Sequence, residues 1–291
     1  MKIPTSLKIG IAGAGSAGLS VAIAFARLGH HVTLFEKHPG IAPLGAGLLI
    51  QPQGIRALGE LGVRQEFEAR SVSIERLLGL SHRGWRVVDI RYERNLARAV
   101  SRDKLSAVLL EAATRLGVNI RFASEVHSLD TLGDRAVVST TSGETAFDLF
   151  VIADGATSRL RTAAGLARPA TVYPWGALWG QFWIRDWQTT TVLQQRYRGP
   201  RQMMGLMPTE ISPQGVWLSL FSGMRCDEQP FGKTLHWTGG RQRPLFSGRK
   251  RNSFSGRFAR TLTSCLRPTG IAGLTGLQMD RSWPSVTPHT R

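Results

Sequence analysis

Three glycines near the amino terminus stand at a spacing that chemistry can use. Gly13, Gly15 and Gly18 form Gly-x-Gly-x-x-Gly, directly after the apolar run 7–12 and directly before the alanine-rich apolar stretch 19–28. Glycine at 13 permits a tight turn. At 15 it lets a pyrophosphate approach the backbone with no Cβ in the way, and at 18 it lets a helix pack close to the strand. The start of that helix offers unpaired N–H groups and a partial positive charge to phosphates. Glu36 lies 18 residues beyond Gly18 and closes the next apolar run, 31–35. A carboxylate there accepts hydrogen bonds from ribose hydroxyls and disfavours a 2′-phosphate, which argues against NADP at this position. The motif sits in the strand–turn–helix–strand context that a dinucleotide site requires. The plain alternative is a glycine-rich turn with no ligand. A second cluster lies far downstream, where the apolar run 149–153 delivers Asp154-Gly155 at its end and Ser158 and Arg161 follow on the next turn. Alone, that cluster is equally a strand-end turn with a surface ion pair.

The elements that must carry these residues follow from hydrophobic period and breakers. Residues 7–37 read as strand, glycine turn, helix ended by Gly29, and strand, a unit that predicts parallel strands. Residues 53–61 read as a helix. Residues 73–80 and 86–92 read as two strands joined by a turn at His82-Arg83-Gly84. The stretch 103–116 predicts an amphipathic helix with Leu105, Val108, Leu109, Ala112, Ala113 and Leu116 on one face. Strands are expected at 118–122, 136–141, 144–147 and 149–153. From residue 172 the pattern turns to long strand-like stretches, 172–184, 191–197, 203–207 and 216–221, which suggests an antiparallel sheet forming a second layer. Trp175, Trp179, Trp183 and Trp187 repeat every four residues. That spacing puts all four on one face of a strand, either as a packed sheet face or as an aromatic wall for a flat substrate.

The two motifs together make a family recognisable. The segment from Asp148 to Arg161 resembles the Asp-Gly fingerprint of flavoprotein hydroxylases related to 4-hydroxybenzoate and salicylate hydroxylases, the class A flavoprotein monooxygenases. The loop Leu44-Gly45-Ala46-Gly47-Leu48-Leu49-Ile50-Gln51-Pro52 resembles their flavin-passing loop, and Ser101-Arg102-Asp103-Lys104-Leu105 resembles their Arg-x-x-Leu helix start. The segments Tyr197-Arg198-Gly199 and Gly205-Leu206-Met207-Pro208 resemble their substrate-sheet strands. The likeness covers residues 7–224.

The resemblance implies a doubly wound α/β (Rossmann-type) FAD-binding domain over 1–171, with inserted strands near 73–92. It implies an antiparallel substrate sheet over 172–224, followed by an irregular tail over 225–291. It further implies FAD held by Gly13, Gly15, Ala17, Gly18, Glu36, Lys37, Gly47, Leu49, Arg102, Val126 and Asp154. Among these, Arg102 would offer a fork of donors to phosphate, with a solvated helix-start arginine as the plain alternative. Val126 would meet the adenine through a backbone amide or carbonyl, and Arg161 would support Asp154. The implied activity is hydroxylation of a phenolic small molecule with NADH or NADPH and O₂. Alternatives are an epoxidase, halogenase or reductase of the same superfamily, or a non-catalytic remnant. The flavin supplies the hard chemistry, so no catalytic acid or base is singled out.

One family element has no counterpart. The resemblance calls for a Gly-Asp fingerprint past the substrate sheet, yet the chain's Gly133-Asp134 lies ahead of the Asp-Gly motif and nothing in 225–291 replaces it. Truncation, or a change of frame near residue 225, is therefore expected. The tail's scattered Arg, Ser, Gly and Pro fit both a disordered segment and out-of-frame translation of GC-rich DNA.

Bulk properties narrow the class. The net charge of +17 looks like a nucleic-acid signature. However, residues 225–291 hold twelve Lys and Arg against three Asp and Glu, a net of +9, and no interleaved aromatic platform. The excess is thus concentrated away from the motifs, and no nucleic-acid partner is expected. Cys226 and Cys265 give neither a disulfide framework nor a zinc spacing, so no metal is expected. No run of about 18 apolar residues and no signal peptide stand out, and a cytoplasmic location is the default expectation.

Overall fold

A computed structural model describes residues 6–41, 47–93, 96–169, 174–199 and 202–225. The expected irregular tail, 226–291, lies outside the described residues. Along the chain the first elements are β1 (Lys8–Ala12), α1 (Ser16–Arg27), β2 (His31–Phe35), β3 (Gly47–Ile50), α2 (Pro52–Glu60), α3 (Arg64–Ala69), β4 (Val72–Ile74), β5 (Arg76–Ser81), β6 (Arg86–Arg91) and β7 (Ala97–Ser101). There follow α4 (Arg102–Arg115), β8 (Asn119–Arg121), β9 (Val126–Leu132), β10 (Arg135–Thr140), β11 (Gly143–Phe147), β12 (Leu149–Ile152) and α5 (Arg159–Ala163). The last strands are β13 (Trp175–Ile184), β14 (Val192–Arg198), β15 (Gln202–Ser212) and β16 (Gly215–Arg225).

These elements form two compact units. The first, from 1–44, 48–71 and 100–172, is built on a parallel sheet in the order β12-β1-β2-β8. Period-two alternation sends its residues to opposite faces. Ile9, Ile11, Val32 and Leu34 face a core shared with Leu19, Ala22 and Ile23 of α1 and Leu105, Val108 and Leu109 of α4. Burying each such large side chain contributes about 1.5–3 kcal/mol before the entropy cost of ordering it. On the other face Ala12, Phe35 and Ile152 meet Val126, Val138 and Phe147 of the antiparallel sheet β11-β10-β9. The α/β class and the parallel sheet follow the sequence pattern. The second face, however, is covered by a meander of short strands, joined by Leu160 of the short α5. Gly10 shows why that layer sits so close. A Cβ there would lie 2.5 Å from a ring carbon of Phe150 and 2.8 Å from one of Phe147.

α4 begins and ends one residue before the expected span. Leu116, expected on its buried face, is its C-cap and 42% exposed. The chain turns away there through Gly117, at φ +76°. Gly133-Asp134 is the turn between β9 and β10, with Gly133 at φ +65°.

Among the described residues, the second unit takes Gly47, those within 72–99 and those from 174 to 225. Its six-stranded sheet has the order β13-β16-β15-β14-β5-β6. Four of the five neighbour pairs are antiparallel, but β14 runs parallel to β5. The strands expected as an antiparallel layer, β13, β16, β15 and β14, pair antiparallel as expected, and β5 joins their edge in parallel. The hairpin 76–91 is an integral part of it, locked by Arg76 and Asp89 through two bonds of 2.7 Å each. Trp187 departs from the expected tryptophan face. β13 ends at Ile184, and Trp187 lies beyond it, 6% exposed, donating from Nε1 to the Thr189 carbonyl at 2.9 Å. It joins the core of Phe182, Leu218 and Leu220, whereas Trp179 stands on the other side of the sheet.

Two measurements test this account. Ala123 adopts φ +50°, a conformation that costs a side-chain-bearing residue about 1–2 kcal/mol. Ala123→Gly is expected to raise unfolding stability by about 0.5–1 kcal/mol after glycine's own entropy cost, read as a higher denaturant midpoint. The Asp148 carboxyl accepts from the Lys8 N–H at 2.7 Å and from Arg135 at 3.0 Å. The Lys8 N–H first, and Arg135 next, hold its pKa below the ordinary carboxylate value. Its stabilising effect is therefore present above that ordinary value and lost as pH falls through the lowered one. Asp148→Asn is expected to lower the melting temperature near neutrality and to leave a shallower decline in acid, measured by thermal melts from neutrality downward.

Candidate functional site

The parallel sheet determines where the candidate residues meet. β1, β2 and β12 end side by side, so Gly13, Glu36 and Asp154 emerge together at its carboxyl edge. That edge is where open α/β sheets place their ligands. Gly13 has φ +100°, and its N–H donates to the Phe35 carbonyl at 2.7 Å. A Cβ on Gly13 would strike the Ala153 carbonyl and stand 3.0 Å from the Asp154 Cα. A Cβ on Gly18 would strike the Gly13 carbonyl oxygen. These two glycines are thus wedged between backbones. Gly15 differs: nothing lies within 4 Å of where its Cβ would be. The space beside it is open, as a cradle for a phosphate requires.

α1 starts at this turn. Gly15 is its N-cap, no side chain caps it, and its first turn holds no acid. Hence no acid of its own first turn competes for the N–H groups at that end. Ala17 is exposed in the same turn. Glu36 is half-buried and accepts twice, from the Ala14 N–H at 2.8 Å and from the His38 N–H at 2.9 Å. The carboxylate thereby fastens the glycine loop to the end of β2 and still has lone pairs for hydroxyl donors. Lys37 is exposed next to it. The chain 121–126 runs alongside: Ser124 N–H donates to the Glu36 carbonyl at 2.8 Å and Ala123 N–H to the His38 carbonyl at 2.9 Å. Val126 is buried at the start of β9. Arg121, at the end of β8, lies over the Phe35 ring at 5.6 Å. That arginine has no motif around it in the sequence to mark it.

Asp154 is half-buried, and its Oδ1 is buried with no hydrogen-bond partner. An orphaned carboxylate oxygen is costly unless something fills its place. Arg161 reaches back and donates to the Ala156 carbonyl at 2.7 Å and the Gly155 carbonyl at 3.4 Å. Ser158 caps α5 by accepting from the Arg161 N–H at 2.9 Å. Arg161 therefore shapes the Asp-Gly turn by gripping its carbonyls and not by pairing with Asp154.

The remaining candidates are dispersed. Arg102 is exposed at the first residue of α4. Leu49 is half-buried in β3. Gly47, in the second unit, donates its N–H to Ser219 Oγ at 2.9 Å, and a Cβ on it would lie 2.5 Å from the Ser219 Cβ. The structure thus brings Gly13, Gly15, Ala17, Gly18, Glu36, Lys37 and Asp154 to one edge. Residues 42–46 of the loop before Gly47 lie outside the described residues.

A cleft of about 700 Å³ runs along α1 between α2 and α4, lined by Ser20, Ala24, Leu58, Leu61 and Leu109 among others. It is mostly apolar and contains none of the converging candidates. Among the described residues, no group of His, Cys, Asp or Glu could hold a metal ion, and no helix is long and apolar enough to cross a membrane.

The family model described as "FAD binding domain" matches residues 6–223. An FAD-dependent monooxygenase, OpS4, of Beauveria bassiana is 34% identical over 167 residues, covering 54% of this chain and 39% of that protein. A 3-hydroxybenzoate 6-hydroxylase of Aquipseudomonas alcaligenes is 29% identical over 161 residues, covering 52% and 41%. The chain thus spans about two fifths of the length of these relatives. A crystal structure of a 2-methyl-3-hydroxypyridine-5-carboxylic acid oxygenase variant shares the fold, with a TM-score of 0.67 at 22% identity over 94% of this chain and 70% of that one.

The glycines separate into two kinds that a melt can tell apart. Gly18→Ala sets a methyl against the Gly13 carbonyl and is expected to cost about 1–3 kcal/mol. Gly15→Ala meets open space at an ordinary φ of −71° and is expected to stay within about 0.5 kcal/mol of the parent. Equal losses at the two positions would overturn the distinction.

Proposed function

Since the chain belongs to the family of FAD binding domains, we propose that it binds FAD at the carboxyl ends of β1, β2 and β12. In the same reading it serves an NAD(P)H- and O₂-dependent hydroxylation of a small aromatic molecule. One observation carries the reading. The open glycine cradle, the Glu36 carboxylate and the orphaned Asp154 oxygen converge at one sheet edge. The residues present fit the cofactor. Gly13, Gly15 and Gly18 and the uncapped start of α1 suit a pyrophosphate. Glu36 suits the adenosine ribose, with Lys37 and the backbone at Val126 flanking it. Asp154 Oδ1 wants a donor, which a polar cofactor supplies. Arg102, Gly47 and Leu49 belong to the same reading through their motifs.

When bound, FAD supplies the redox chemistry, taking electrons from NAD(P)H and activating O₂. The protein's own share is narrower. The α1 N-terminus stabilises phosphate charge with dipoles fixed in advance. Glu36 rigidifies the loop that presents them. Arg161 holds the turn on which Asp154 sits. The aromatic character of the substrate is supported by the 3-hydroxybenzoate 6-hydroxylase relative.

The visible absorption spectrum of the purified chain tests this directly. Flavin bands near one equivalent, released as FAD on denaturation, are expected, together with NAD(P)H oxidation stimulated by phenolic ligands. A colourless, folded protein that gains no bands with added FAD would overturn the reading. Gly15→Val is expected to remove the bands while leaving the melt close to the parent. Glu36→Ala is expected to weaken FAD retention and also to lower stability by about 1–3 kcal/mol, because two loop N–H groups lose their acceptor.

A further inference from the structure

The sheet of the second unit ends on a bare hairpin. β6 is the last strand in its order, and among the described residues nothing pairs with its outer edge. The residues around the turn from β5, 82–87, are all exposed. Trp85 is 68% exposed, Val87 55% and, further along β6, Ile90 43%. The turn that presents them is firmly fixed. The Ser81 N–H donates to the Trp85 carbonyl at 2.7 Å, and the Gly84 N–H to the Ser81 carbonyl at 3.0 Å. Ser81 Oγ accepts from the Trp85 N–H at 3.1 Å and from the Arg83 N–H at 3.3 Å. Gly84 takes φ +85°, which such a turn requires. The backbone thus holds a large apolar ring out in water, with the Arg83 guanidinium 5.8 Å from its centroid.

The charge around this tip is of one sign. The His82 N–H donates to the Tyr197 carbonyl at 2.8 Å, so the end of β14 runs beside the turn. Together the stretches 79–88 and 195–199 hold Arg83, Arg86, Arg196 and Arg198 and neither Asp nor Glu. The acid next along β6 is Asp89, and both its oxygens are taken by Arg76. Arg86 stands 3.7 Å from that carboxylate and keeps its side chain 72% exposed. Single apolar residues are ordinary on a protein surface, but Trp85, Val87 and Ile90 on one hairpin beside these arginines make a patch. Indole suits the boundary between water and hydrocarbon, and arginine suits the phosphate found there. A second copy pairing along β6 would instead set Arg86 and Arg91 against its partner's arginines, which repel.

We propose that the β5–β6 hairpin docks the chain on an anionic membrane surface. Trp85 enters the headgroup layer with Val87 beside it, while Arg83, Arg86 and Arg198 meet lipid phosphates. This is attachment to one leaflet and needs no crossing helix. It goes beyond the proposed function and does not depend on it. The fixed turn favours docking, since no loop has to be ordered as the tip enters. Each arginine near such a surface adds its own increment of attraction, and salt weakens all of them.

The test is sedimentation of the full chain with vesicles of phosphatidylcholine, alone or mixed with phosphatidylglycerol. Binding to the mixed vesicles only, falling as salt is raised, is expected. Residues 225–291 are also basic, so the hairpin must be read separately from them. Arg83→Gln combined with Arg86→Gln is expected to weaken vesicle affinity about tenfold. The same charge loss in the tail, Arg249→Gln with Arg251→Gln, is expected to weaken it less. Brominated phosphatidylcholine in the mixed vesicles is expected to quench tryptophan fluorescence in the parent and much less in Trp85→Phe. These side chains are exposed, so melts close to the parent's are expected. Should Trp85→Phe lower the melt, Val87→Ser carries the test, with a severalfold weaker vesicle affinity expected. A loss in the tail pair equal to or larger than that in the hairpin pair overturns the inference, as does unchanged quenching in Trp85→Phe. Duplex DNA binding that needs Arg83 and Arg86, without quenching by brominated lipid, makes the partner a nucleic acid and overturns it too. A concentration-dependent dimer that is lost in Trp85→Phe, with no vesicle binding, does the same.

Discussion

Backbone packed on backbone at Gly13 is the constraint on which the first unit depends. The Gly13 N–H is bound to the Phe35 carbonyl, and no side chain fits between Gly13 and the Ala153 carbonyl. The Ala153 N–H in turn donates to the Ala12 carbonyl at 2.9 Å. Three strand ends are thereby tied at one point, and α1 is pressed against it because Gly18 also lacks a side chain. Residues more than a hundred positions apart become neighbours through contacts that only the absence of atoms permits. Glu36 adds the polar counterpart, since its carboxylate closes the loop from the side of β2.

The same economy recurs elsewhere. Gly10 leaves room for the ring of Phe150 on the neighbouring strand and for that of Phe147 from the meander, and Gly205 and Gly79 let Phe221 and Tyr197 lie along the mixed sheet. In each case a missing Cβ on a strand makes the space that a nearby ring occupies. The face with Leu218 and Leu220 holds the second unit's apolar cluster.

Much of the first unit was legible because its signals are local. The glycine spacing, the acid at the end of the second apolar run, and Asp-Gly at the end of another depend on neighbours within a few residues. The long helix α4 was readable for the same reason, being long enough to show a period. What escaped reading depends on distant partners. α3 has six residues, too few to show a period. The position of Trp187 depends on where β13 stops, and a repeat of four looks the same on either side of that end. The covering of one face of the parallel sheet by a meander could not be inferred from strands that were individually visible. The parallel alignment of β5 with β14 carries no local mark at all. The role of Arg161 was half legible: its proximity to Asp154 follows from sequence, but its grip on the turn carbonyls is a matter of rotamer.

That parallel pairing also affects how the chain can fold. Glu75 and Thr191, which border it, are 116 positions apart and joined at 3.3 Å. Closing so long a loop costs entropy that no local contact offsets, and contacts of this order slow folding. During synthesis the hairpin of β5 and β6 emerges long before its partner strand exists. Until residues 192–198 leave the ribosome, β5 must wait with one edge unpaired, a state open to wrong partners. The second unit is therefore assembled late and as a whole, with its earliest-made hairpin among the last parts to find its place.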